Sequence, residues 1–152
     1  MEDSYLLIRR LMLATTKIDG AYYFFAKKLG IKENMLALLY ALDDGKPHTQ
    51  KQICDDWLIP KTTINTNIKE LIQSGHIALL PGERGREKLI ILTEKGKAFT
   101  REMLKPVYEA EYQALRKTLD QFSPDFAGAL DCFADRICEE FEKIPTCGKD
   151  HL

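Results

Sequence analysis

Arg84, Arg86 and Lys88 place a positive charge at every second position of a short segment that also holds Gly82 and Gly85. Apolar runs flank it, Ile77-Ala78-Leu79-Leu80 before and Leu89-Ile90-Ile91-Leu92 after. Cations on a hairpin tip, with glycines that let the backbone turn tightly and approach a surface, have the chemistry to hold a polyanion. A second set lies upstream, where Lys61, Thr62, Thr63, Asn65, Thr66 and Lys69 fall within one stretch. Wound into a helix at about 100° per residue, Thr62, Thr66, Lys69 and Gln73 share one side. Ile64, Ile68, Leu71 and Ile72 lie opposite, with Thr63 and Asn65 on the flanks. Short hydroxyl and amide groups suit the base edges of a major groove, where Asn pairs with adenine and a Thr methyl touches thymine. Thr62 and Thr63, nearest the helix N-terminus, suit a phosphate oxygen. Thr62, Thr63, Asn65, Thr66 and Asn67 also give up helix propensity that Lys, Glu or Gln would supply on an idle surface.

Nothing comparable supports catalysis. His48, His76 and His151 are scattered, and there is no nucleophile elbow, phosphate loop or paired metal motif. Cys132, Cys138, Cys147 and His151 form a nominal zinc set. Residues six apart on a helix point about 120° from each other, so Cys132 and Cys138 do not face one ion. No metal and no cofactor are expected. Two rival readings remain. A thiol-based redox regulator would need a reactive cysteine; the first helix has none, Cys54 beside Trp57 reads as buried, and Cys147 lies on the tail. A protein-interaction module would carry an acidic or apolar face on the helix of Thr62–Thr66, which this sequence does not.

The chain has 152 residues, enough for one good core, with 45% hydrophobic and 30% charged residues, as in an ordinary soluble protein. No apolar run approaches a membrane span. An acidic start, Met1-Glu2-Asp3-Ser4, and four irregularly spaced cysteines predict a cytoplasmic protein. The net charge of −1 hides a gradient: residues 60–101 hold eight basic against four acidic side chains, whereas residues 102–152 hold six against eleven. The basic block includes both binding sets, the footprint a polyanion partner needs.

Periodicity predicts a helix over 5–29, a second from Glu33 to about Leu42, and a third opened by the capping box Thr49-Gln50-Lys51-Gln52. Pro60 starts a fourth that Gly75 stops, and the hairpin of 77–92 follows. Thr93 caps a long helix from Glu94 to about Leu119, with Pro106 inside it as a kink. Ser123 as a cap and Pro124 at the first helical position open the last helix. Its apolar stripe, Phe126, Leu130, Phe133, Ile137, Phe141 and Ile144, is long enough to form a sticky patch unless covered. The order predicts a mainly α protein with a small β-hairpin: a winged helix-turn-helix flanked by long N- and C-terminal helices.

From about residue 5 to 144 the chain resembles the MarR family of winged helix-turn-helix transcription regulators. Leu92-Thr93-Glu94-Lys95-Gly96 matches the family's Leu-Thr-x-x-Gly, and Arg86 falls on its wing arginine. Arg84 stands where the family usually has Asp, which leaves Glu83 as the acid available to brace the arginine. Thr62-Thr63-Ile64-Asn65-Thr66 follows the start of the family's recognition helix, with Thr66 where an arginine is frequent. The resemblance implies a DNA-binding lobe over 33–92 and dimerisation helices over 1–30 and 94–144. It implies a homodimeric repressor on a pseudo-palindromic double-stranded operator. Arg86 would enter the minor groove, with Arg84 or Lys88 on phosphates, and Phe126, Leu130, Phe133, Ile137 and Phe141 would meet a partner subunit. A small aromatic effector would bind near Tyr22, Phe25, Met35 and Tyr40, although core and interface packing explains those residues better.

Overall fold

Each helix begins or ends where the sequence supplies the chemistry to do so. The computed structural model describes residues 3–83, 85 and 87–145. Helix α1 spans Ser4–Lys28, started by the Asp3 side chain, which accepts from the Tyr5 amide. Helix α2, Glu33–Leu42, is the most buried: Met35, Leu36, Leu38, Leu39, Ala41 and Leu42 all leave solvent. The Asp44 carboxylate then accepts from the Lys46 amide and meets His48 Nε2 at 2.8 Å, which steers the chain into β1, His48–Thr49. The capping box forms as expected, Thr49 Oγ1 accepting from the Gln52 amide and Gln52 Oε1 from the Thr49 amide, and opens α3, Gln50–Trp57. Leu58 ends α3 in the left-handed region at φ 48°, unusual for a branched side chain, and is 80% exposed.

Helix α4, Lys61–Gln73, follows Pro60, which sits one position earlier than expected, as its N-cap. Strands β2, Ile77–Pro81, and β3, Lys88–Leu92, form the hairpin, with Ile77 opposite Leu92 and Pro81 opposite Lys88. The sheet has a third strand that periodicity did not give: β1 pairs antiparallel with β3, so the order is β1-β3-β2. Two residues are too few to show a period of two. The core joins α2 to Ile53, Ile59, Ile64, Ile68, Leu71, Ile77, Ile90 and Leu92. Each such side chain contributes about 1.5–3 kcal/mol of burial.

Helix α5, Glu94–Leu119, runs through Pro106, and α6 spans Asp125–Glu142. The start of α6 corrects the expected cap by one position: Pro124 is the N-cap, while Ser123 Oγ accepts from the Asp125 amide from just outside. Ile144 lies beyond the helix end. The chain divides into two compact units, Met1–Val107 and Tyr108–Leu152. Among the described residues no helix is long and apolar enough to cross a membrane.

Candidate nucleic-acid interface

The face that α4 turns outward follows from what its other face must bury. Ile64, Ile68 and Leu71 enter the core, and this fixes the helix's rotation. Lys61, Thr62, Thr66 and Lys69 are thereby left exposed, while Thr63 and Asn65 are half-buried at the edges. Thr66 Oγ1 donates back to the Thr62 carbonyl at 3.2 Å, so two neighbouring hydroxyl residues form one ridge. Two expectations need correction. Ile72 is 41% exposed rather than part of the apolar face. Asn67 belongs to the core side, 2% exposed, with no partner for Nδ2 among the described residues. An amide left unsatisfied in this way costs about 1–3 kcal/mol, so Asn67 is no member of an outward set.

Asn65 brings in a residue that the sequence did not single out. Gln50, at the first position of α3, donates Nε2 to Asn65 Oδ1, and this bond ties the support helix to the side chain expected to read a base. A groove of about 620 Å³ lies between α3, α4 and the hairpin. Its lining brings Lys61 and Lys88 together with Lys51, against Asp55 and Glu87. Lys51 is itself paired with Asp55 one turn along α3. Lys51, like Gln50, hid within the capping box, whose local role explained its neighbours without it.

At the hairpin, the Gly82 amide donates to the Glu87 carbonyl at 2.8 Å, and Gly85 takes φ +65°. A Cβ at Gly82 would fall 2.3 Å from that carbonyl oxygen, so no other residue fits. Arg84 and Arg86 lie outside the described residues; Gly85 between them and the exposed Lys88 are within.

The Leu92–Gly96 motif is a clamp rather than a contact for a ligand. Thr93 Oγ1 accepts from the Gly96 amide at 3.0 Å, capping α5, and donates to the Gly75 carbonyl at 2.7 Å. The Thr93 amide reaches the His76 carbonyl at 3.0 Å, and Lys95 Nζ reaches the Ser74 carbonyl at 2.7 Å. Gly96 lies so close to that turn that a Cβ would sit 1.8 Å from the His76 oxygen. The motif therefore locks the end of α4 and the root of the hairpin to α5. Within the turn the His76 ring stacks on Phe99 at 4.4 Å, and burial, then the Lys95 ammonium, hold its pKa below the usual imidazole value.

A second cavity, of about 350 Å³, opens between α1, α2 and α3. Of the four residues named for an effector pocket, Tyr22 and Tyr40 line it, with Ile18, Asp19, Glu33, Leu36, Ala37 and Trp57. Met35 faces the core instead, and Phe25, half-buried, is not among the described lining residues. Cys54 is half-buried, less than its place beside Trp57 implied, and Cys132 and Cys138 are exposed. Cys147 and His151 lie outside the described residues.

In α6, Phe126, Leu130 and Phe141 are 39%, 37% and 64% exposed, and Phe133 and Ile137 are half-buried. None of the helix's residues is buried.

Comparison with known proteins places this arrangement. The MarR family model matches residues 29–87, from the end of α1 into the hairpin. The HTH-type transcriptional regulator YwoH of Bacillus subtilis is 28% identical over 104 residues, 68% of this chain and 76% of that protein. The structure of NMB1585, a MarR family regulator from Neisseria meningitidis, superposes with a TM-score of 0.70 at 28% identity, covering 90% of this chain and 94% of that one. AbsC, a MarR family transcriptional regulator from Streptomyces coelicolor, shares the fold with a TM-score of 0.64 at 18% identity, over 95% and 98% of the two chains. The mostly helical chain with its three-stranded antiparallel sheet thus has the winged-helix fold of MarR family regulators and matches the family's model over residues 29–87.

Proposed function

We propose that the chain is a sequence-specific double-stranded DNA-binding regulator that acts as a homodimer. The observation that carries this is the split of α4: Ile64, Ile68 and Leu71 in the core, and a ridge of Thr62, Thr66 and Lys69 exposed. In this reading residues 33–92 are the DNA-binding lobe, and 1–30 and 94–144 supply the dimer helices. Thr62 and Thr63 meet phosphate near the helix N-terminus; Asn65, held by Gln50, and Thr66 meet base edges one turn deeper. Arg86 enters the minor groove, where narrow A·T tracts concentrate negative potential, and Arg84, Lys88 and Lys61 take phosphates. Phe126, Leu130, Phe133, Ile137 and Phe141 form the stripe that a partner covers. Occupying an operator requires nothing beyond these parts, so repression is the simplest mode of action. The cavity beside Tyr22 and Tyr40 is the place for an effector.

The test is Arg86→Ala against Lys88→Ala in anisotropy titrations on operator DNA. Arg86→Ala should weaken binding severely with folding and oligomeric state unchanged. Lys88→Ala should weaken all sequences alike and lower the salt slope by about one unit. Unchanged affinity for both variants would sink the reading of the wing.

A further inference from the structure

The cavity between α1, α2 and α3 has a chemical bias of its own. Leu36, 2% exposed, Ala37 and Ile18 give it an apolar floor and side. Tyr22, Tyr40 and Trp57 add aromatic faces, with the Tyr40 and Trp57 rings 5.4 Å apart and inclined at 60°. Asp19 and Glu33 are the charged residues lining it; no lysine, arginine or histidine is among the described lining residues. Glu33 in the first turn of α2 also offsets that helix's dipole. Asp19, well inside α1, has no such role. Trp57 stays 42% exposed at this cavity although its ring would gain much from full burial.

We infer that this cavity binds a monovalent organic cation with an aromatic or alkyl body. The apolar body fits against Leu36, Ala37 and Ile18. The cationic head is attracted to the faces of Trp57 and Tyr40 and to the carboxylates of Asp19 and Glu33. A volume of about 350 Å³ suits a small ligand of this kind. An anionic aromatic would enter against two carboxylates with no lining cation to offset them, so charge selects against it. The inference rests on the reading of this cavity as the effector site and names its ligand class.

The protein's one tryptophan makes the test direct, since Trp57 reports on its own site. The full-length protein is titrated at fixed ionic strength with phenyltrimethylammonium, with tert-butylbenzene as its neutral isostere, and with benzoate. The cation should quench Trp57 fluorescence saturably and bind about tenfold tighter than the isostere, with benzoate weakest. Asp19→Asn together with Glu33→Gln should bring the cation to the isostere's affinity while leaving the isostere unchanged, with circular dichroism confirming the fold. Equal or tighter binding of the isostere or benzoate would overturn the ligand class and leave the cavity as an effector site. Saturable quenching by none of the three would overturn the effector site itself. Operator affinity of the same preparation, measured with and without saturating cation, separates these outcomes from a failure of DNA binding. Binding of the cation without any change in operator affinity would overturn its role as effector.

Discussion

Gly96 and Gly128 both stand inside long helices, one in the Thr93 clamp and one in α6, and an added methyl group would meet opposite fates. At Gly96 it would lie 1.8 Å from the His76 carbonyl oxygen; at Gly128 nothing lies within 4 Å. The same contrast runs through the two regions. Six of the ten residues of α2 are buried, whereas α6, with a stripe of comparable regularity, buries none. A helical period states that one face is apolar, and it does not state where that face is covered. The lobe satisfies its pattern within the chain. The stripe of α6 stays partly exposed within the chain, which is the physical case for the proposed dimer.

The largest expected effect that sharpens this contrast comes from Gly96→Ala. Alanine normally favours a helix by about 1 kcal/mol over glycine. Here the overlap with a backbone oxygen should reverse the sign and destabilise by about 3 kcal/mol or more, read from urea denaturation. A variant as stable as the natural protein would dissolve the clamp. Next, replacing Phe133 and Ile137 together by Asp should yield monomers in sedimentation velocity. Operator affinity should fall about a hundredfold as two half-sites lose their linkage. A natural protein that sediments as a monomer at micromolar concentration would break the comparison outright.

Gly128→Ala should act the other way, stabilising by about 1 kcal/mol in thermal melts without altering the oligomer. Gly128 points away from the stripe, about 200° round the helix from Phe126. A destabilised or monomeric variant would place a second covered face there. The smallest effect concerns His76, whose pKa is lowered by burial first and by Lys95 second. A depressed imidazole contributes stability that is present above its ordinary pKa of 6.5 and is lost as pH falls from there through the lower folded value. His76→Gln should flatten that part of the stability profile, and an unchanged slope would deny the ring this role.

Much of the fold could be read from residues because caps and periods are local. The bounds of α2, the capping box of α3 and the span of α5 all followed from residues within one turn. What escaped depended on distant partners. Strand β1 exists only because β3 lies beside it. Asn67 counted with the Thr and Asn residues of a surface, and the packing of α4 places it in the core. Gly96 read as a family signature, and its cause is a carbonyl some twenty positions earlier in the chain. The candidate interface was legible as a set of side chains on α4. Its coupling through Gln50 to α3 was not, because that bond spans fifteen positions between two helices. In the cavity, Tyr22 and Tyr40 stood out as aromatics, whereas Asp19 and Trp57 join them only through packing.

In the proposed function the outward face of α4 reads DNA as a symmetric pair. Parallel selection of bound fragments from random double-stranded DNA tests it most directly, with the natural protein, Asn65→Ala and Thr66→Ala. The natural protein should select a pseudo-palindrome with half-sites centred about 10 base pairs apart. Each variant should relax particular base pairs, a loss of roughly 1–3 kcal/mol of discrimination. No enriched consensus, or one identical for all three proteins, would contradict the account and leave α4 without a reading role.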